Sequence, residues 1–152
     1  MTEPSKPTPS LKARALKHLS LREHTRLELE RKLAPHAESP EQLAQALDAL
    51  QAKGFIDEAR VVESVLHRRA ARLGASRVRQ ELQAKGVADS AIAEAVQELR
   101  STELARARAV WAKKFGAPAT DAKERARQAR FLMARGFATE VVRRVLAAED
   151  DR

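Results

Sequence analysis

His18, His24, His36 and His67 are the only imidazoles in this chain, and no two of them stand four residues apart, the spacing that would set a pair over a metal ion on one helical face. There is no cysteine to supply a thiolate, so neither a soft metal site nor a disulfide framework is expected. The five glycines stand singly at predicted helix ends. No Gly-rich loop is therefore available to cradle a phosphate, and neither ATP binding nor any cofactor is expected. Neighbouring carboxylates, such as Glu28 with Glu30 and Asp150 with Asp151, lie in strongly charged stretches. There they read as solvated faces and not as an acid/base pair. No nucleophile, base and metal converge, and an enzyme is not expected.

The chemistry that remains is positive charge. Lys and Arg number 29 against 21 Asp and Glu, a formal charge of +8 that favours polyanionic or acidic partners. The excess is uneven. Residues 21–58 hold five bases and eight acids, whereas residues 59–152 hold twenty bases and twelve acids. Between Leu66 and Gln80 stand Arg68, Arg69, Arg72, Arg77 and Arg79 without one acid. Five such arginines repel one another, and Arg suits bidentate contact with phosphate or carboxylate. A second cluster comprises Lys123, Arg125, Arg127, Arg130 and Arg135, with Lys123, Arg127 and Arg130 along one helical side. Arg143 and Arg144 face away from Val142, Val145 and Leu146 and extend the patch more weakly. The proposed contact set is Arg68, Arg69, Arg72, Arg77, Arg79, Lys123, Arg127, Arg130 and Arg135. No base-reading motif accompanies it, so any DNA contact is expected to be independent of sequence.

The elements that must carry these charges are helices. Leu50 to Gly54, Leu82 to Gly86 and Leu132 to Gly136 each read Leu, two residues, a base, Gly. An apolar residue follows (Phe55, Val87, Phe137), and two further on stands Asp57, Asp89 or Thr139. That is helix stop, buried staple, helix start. Thr25 with Glu28 and Ser39 with Gln42 have capping-box spacing, and Asp121 with Glu124 resembles a third. The signals predict nine helices, at 11–19, 23–34, 40–53, 57–72, 75–85, 89–100, 102–115, 121–135 and 139–148. Grouped in threes they make an all-α chain of three tandem trihelical repeats, 11–55, 56–100 and 101–148, forming an elongated, curved, solenoid-like array. Pro-rich residues 1–10 read as a disordered tail and 149–152 as a short C-terminal one. Trp111, on a stripe with Leu104, Ala107 and Phe115, is a packing residue. Phe131 lies well round its helix from Ala126, Ala129 and Met133, where it would seal a repeat junction or meet a partner. With no long apolar run and no cysteine, no membrane span is expected and a cytoplasmic location fits.

These residues resemble the bacterial regulatory protein RecX family. Arg130-Phe131-Leu132-Met133-Ala134-Arg135-Gly136-Phe137 is similar to the family's C-terminal R-F-L-x-x-R-G-F element. Gly54-Phe55-Ile56-Asp57, Gly74, Arg77-Val78, Glu81-Leu82 and Lys85-Gly86 follow its central elements in order, and Ala15-Leu16, Arg22, His24, Glu28-Leu29 and Lys32-Leu33 its opening. The chain departs from the pattern at Val61, Val62 and Val65, where the family usually carries aromatics and Ala. It also departs in the first repeat, which has Leu33 and Pro35 where a Gly would match Gly86.

The resemblance implies three trihelical repeats and a regulator of the RecA recombinase that binds its filament on single-stranded DNA. It further implies restraint of filament growth, ATP hydrolysis, strand exchange and coprotease activity. Two readings compete. A sequence-independent DNA-binding repeat, on single- or double-stranded DNA, would act only by competition for DNA, and a protein scaffold would use its basic face for solubility alone. Charge reversal at Arg72 and Arg79 separates the scaffold from the others. A monomer is expected, and Arg135 has a second candidate role in capping its own helix.

Overall fold

The computed structural model describes residues 7–150, and every regular element among them is helical. The α-helices are α1 (Leu11–Leu21), α2 (Arg26–Leu33), α3 (Pro40–Ala52), α4 (Glu58–Arg69), α5 (Ala75–Ala84), α6 (Asp89–Lys114), α7 (Ala122–Ala134) and α8 (Thr139–Asp150), with one 3₁₀ turn at Ala34–His36. Met1 to Lys6 of the expected N-terminal tail, and Asp151 and Arg152 of the C-terminal one, lie outside the described residues. Ser10 accepts from the Ala13 N–H and so caps α1.

Side chains start these helices largely as their spacing predicts. Thr25 accepts from the Glu28 N–H while the Glu28 carboxylate accepts from the Thr25 N–H, a complete capping box. Ser39 accepts from the Gln42 N–H, but the Gln42 amide oxygen takes the Glu38 N–H. Asp121 likewise accepts from Glu124, whose own carboxylate turns to Arg127. All three Leu-to-Gly stops form. Gly54, Gly86 and Gly136 have φ of 81°, 78° and 89°, and Phe55, Val87 and Phe137 donate to the carbonyls of Leu50, Leu82 and Leu132 at 3.0, 3.1 and 3.3 Å. The staple fails once. Val87 and Phe137 are buried, whereas Phe55 is 45% exposed and Ile56 takes the interior position.

Nine predicted helices become eight because 89–100 and 102–115 are one continuous helix, α6. The break expected at residue 101 has neither Gly nor Pro to make it, and Ser101 and Thr102 stand inside the helix. Their hydroxyls donate back to the Glu98 and Leu99 carbonyls at 2.6 and 3.2 Å, which keeps them within the helix.

The chain divides into two compact units, one ending at Val61 and the other beginning at Val62. In the first, Leu11, Ala15, Leu29, Leu33, Leu43, Leu47, Leu50 and Ile56 form the core. The second unit holds two clusters, one around Val78, Leu82, Val96 and Leu99 and one around Ala107, Trp111, Leu132 and Val145. Leu82 and Leu132 are fully buried, each worth about 1.5–3 kcal/mol of burial. Trp111 is core as predicted, its indole N–H donating to the buried Gln128 amide oxygen at 2.9 Å.

Candidate nucleic-acid interface

The second unit folds one short loop under unusual control. Arg106 of α6 sends its guanidinium into residues 70–74, donating to the Ala70 and Leu73 carbonyls at 2.7 and 2.6 Å and to the Leu99 carbonyl at 2.8 Å. Burial pushes the Arg106 pKa down, and nearby Glu103 partly restores it. One turn earlier on α6, the buried Glu103 carboxylate accepts from the Ala75 N–H at 2.9 Å. That contact supplies the N-terminal cap of α5 that Gly74 has no side chain to give. Arg106 thus holds the loop's carbonyls and Glu103 the N–H that follows them.

Gly74 ties the same loop to the far end of α7. Its N–H donates to the Arg135 carbonyl at 2.8 Å, and a Cβ at Gly74 would meet the Gly136 backbone. A Cβ at Gly136 would in turn run into the Arg77 stem, so both positions require glycine for close approach. The consequence is positional. Arg72, in the loop, and Arg135, at the end of α7, are brought to one cleft although 63 positions separate them.

That cleft is about 630 Å³ in volume and is walled by Arg72, Lys113, Lys114, Arg135 and Phe131 over a floor of Ala71, Ala109 and Val110. Four cations and no carboxylate line it. Phe131 packs edge-on against Phe115, with ring centroids 5.4 Å apart at 84°. The Lys114 Nζ and the Arg135 guanidinium carbon lie 5.3 and 4.9 Å from the Phe131 centroid, and the Arg127 guanidinium carbon 5.3 Å from that of Phe115. Aromatic faces hold these cations in place without cancelling their charge. An anion entering the cleft therefore meets positive groups already gathered, beside an aromatic edge and an apolar floor. Phosphate next to a nucleobase has this chemistry.

The sequence-predicted basic residues do not form a single patch. Arg72 and Arg135 meet in the cleft, and Lys113, Lys114 and Phe131 join them; neither lysine was in the proposed contact set. Arg68 and Arg69 are not uncompensated: both reach Glu81, at 3.9 and 3.3 Å, one residue beyond the acid-free stretch. Arg77 and Arg79 are exposed on α5, and Lys123 and Arg130 are exposed on α7. Arg127 is shared with Glu124, whose carboxyl it holds below the usual range. Arg125 and Arg143 line a different groove, between α7 and α8, where Arg143 pairs with Glu140 at 3.4 Å, and Arg144 is exposed nearby. Phe131, expected at a repeat junction or a partner contact, forms a wall of the cleft.

Comparison with known proteins agrees with this architecture. Residues 57–96 match the family model described as the second three-helix domain of RecX, and residues 101–146 match the third. A relative from Leptothrix cholodnii, "Regulatory protein RecX", is 56% identical over 96% of this chain and 93% of its own. One of the same name from Ralstonia nicotianae is 50% identical over 93% of this chain and 89% of its own. The crystal structure of RecX from Lactobacillus salivarius superposes with a TM-score of 0.74 at 17% identity, covering 93% of this chain and 96% of that one. The helical fold is thus shared even where sequence identity is low, and with relatives this similar over nearly its whole length the chain belongs to the RecX family of regulatory proteins.

Proposed function

We propose that this chain binds the RecA recombinase filament on single-stranded DNA and restrains filament growth, ATP hydrolysis, strand exchange and coprotease activity. The observation that carries the reading is the cleft of Arg72, Lys113, Lys114 and Arg135, whose four cations meet no carboxylate and share an aromatic wall. It offers a filament's DNA phosphates a contact that reads charge and not sequence. Arg68, Arg69, Arg77, Arg79, Lys123, Arg127 and Arg130 supply the surrounding field, weakened where Glu81 and Glu124 draw on it. In this reading the repeats are 11–55, 56–100 and 101–148, the second and third joined within the continuous α6. The protein acts as a monomer, without catalysis or cofactor, in the cytoplasm where its target works; no helix among the described residues is long and apolar enough to cross a membrane.

The alternative is a sequence-independent DNA-binding protein that acts by occupying DNA. ATP hydrolysis by a preformed filament on single-stranded DNA, followed as this protein is titrated in, separates the two. Filament regulation predicts suppression at protein-to-recombinase ratios far below one. Suppression only after the bare DNA is saturated supports competition and contradicts the filament reading.

A further inference from the structure

The groove between α7 and α8 has a different character from the cationic cleft. Ala122, Ala126, Ala129 and Met133 of α7 face Val142 and Leu146 of α8 across a space of about 380 Å³. Met133 is 48% exposed. Small side chains on one wall and a flexible thioether at the end suit the close approach of a further helix.

The chain's own echoes show which residues stand at this position in the other two repeats. Aligning the buried leucines Leu29, Leu82 and Leu132 sets Arg26 and Glu30, then Arg79 and Gln83, against Ala129 and Met133. In the first unit the Arg26 guanidinium crosses from α2 to α3, donating to Asp48 at 2.6 Å, Gln51 at 2.9 Å and Glu30 at 3.1 Å. A groove of about 390 Å³ lies along that α2–α3 seam too, with Glu30 and Arg31 in its wall, whereas the α7–α8 groove has Met133 in the place of Glu30 and an alanine in the place of Arg26. Arg125 and Arg143, which also pairs with Glu140, are the charged residues of the α7–α8 groove's lining, and no carboxylate is among them.

We propose that this groove is a docking site for an acidic amphipathic helix of a partner protein, its apolar residues seated on Ala126, Ala129 and Met133 and its carboxylates toward the arginine rim. The surface is separate from the cationic cleft, and the inference does not depend on what that cleft binds. Complementarity of charge selects the occupant. A basic helix would be repelled by the rim, and a neutral one would forgo its attraction.

The test uses the full chain and a fluorescein-labelled helical peptide of about 18 residues, with Leu at alternating three- and four-residue spacings and Glu elsewhere. Anisotropy should show saturable one-to-one binding, about tenfold or more tighter than for the same peptide carrying Lys in place of Glu. Ala129→Arg, which restores the residue type of the other two repeats, should weaken binding about tenfold, as should the exposed and fold-neutral Met133→Gln. Arg72→Gln with Lys113→Gln should leave it unchanged. The proposal is overturned by equal binding of the lysine peptide, by both groove variants binding like the parent, or by loss through the cleft variant. Self-association in sedimentation that Met133→Gln removes would also overturn it, by assigning the groove to a second copy of this chain.

Discussion

The two units are built from the same helices and spend their arginines differently. In the first, Arg22 pairs with Glu28 at 2.7 Å, Arg26 with Asp48 and Glu30, and Arg60 with Glu23 at 3.0 Å, so guanidinium groups close the structure on itself. In the second, Arg106 holds the 70–74 loop and Arg68 and Arg69 reach Glu81, but Arg72, Lys113, Lys114 and Arg135 meet in a cleft without an acid. Charge used internally stabilises a fold, while charge gathered beside aromatic rings is available to a partner. Net charge alone does not reveal this division. Geometry does.

Changes confined to one unit can break or sharpen that contrast. The largest effect is expected at Gly136→Ala, which combines a positive φ with a collision against Arg77. It should destabilise the second unit by about 3 kcal/mol, read as loss of amide protection in residues 62–147 with the first unit's protection retained. Glu103→Ala should follow, leaving the buried Ala75 N–H unpaired at about 1–3 kcal/mol and loosening the loop that carries Arg72. Chemical denaturation and single-strand binding should therefore both weaken in this variant. Arg72→Gln with Lys113→Gln should leave the melt unchanged while weakening binding to oligothymidylate about tenfold, near 1.4 kcal/mol. The log-log salt dependence should flatten by about 0.7 for each phosphate that is no longer neutralised.

The smallest expected effect belongs to the first unit and to pH. Buried His24 donates through Nδ1 to the Arg22 carbonyl at 3.0 Å and accepts at Nε2 from Lys32 at 2.9 Å, which requires a neutral ring. Burial lowers its pKa below 6.5; the hydrogen bond to the Arg22 carbonyl opposes this, the Arg22 and Lys32 charges push the same way as burial, and Glu28 pushes against them. A lowered folded-state value means that the unfolded chain takes up the proton first. Stability is then full above about pH 6.5 and falls as pH drops through that value toward the lower folded one. His24→Gln should flatten that acid limb in melts between pH 7 and 5.

Much of this was legible in the sequence because local rules govern it. Caps at Thr25, Ser39 and Asp121 and the three Leu-to-Gly stops are decided within six residues, and all form. The break expected near Ser101 and Thr102 failed because hydroxyls that can end a helix can also bond back into it. The basic site was half legible. Arg72 and Arg135 stand out by charge, yet Lys113 and Lys114 sit on a helix whose pattern reads as packing. Arg106, nearly opposite the apolar stripe, gave no sign that it holds a loop more than 30 residues earlier. Such contacts are set by long-range packing, which charge counting along the chain cannot see. The pairing of Arg68 and Arg69 with Glu81 escaped for a simpler reason: the acid stands just past the acid-free stretch.

The most direct test of the central claim is a matched pair of charge reversals in the filament ATP-hydrolysis titration. Arg72→Glu with Lys113→Glu alters the second unit's cleft, and Lys12→Glu with Lys53→Glu makes the same change in charge on exposed positions of the first unit. The cleft pair should abolish suppression at low ratios to recombinase while helical content and melting stay at the parent's values, and the first-unit pair should suppress like the parent. Equal inhibition by both pairs, or equal loss in both, would contradict the assignment of function to the second unit's gathered cations.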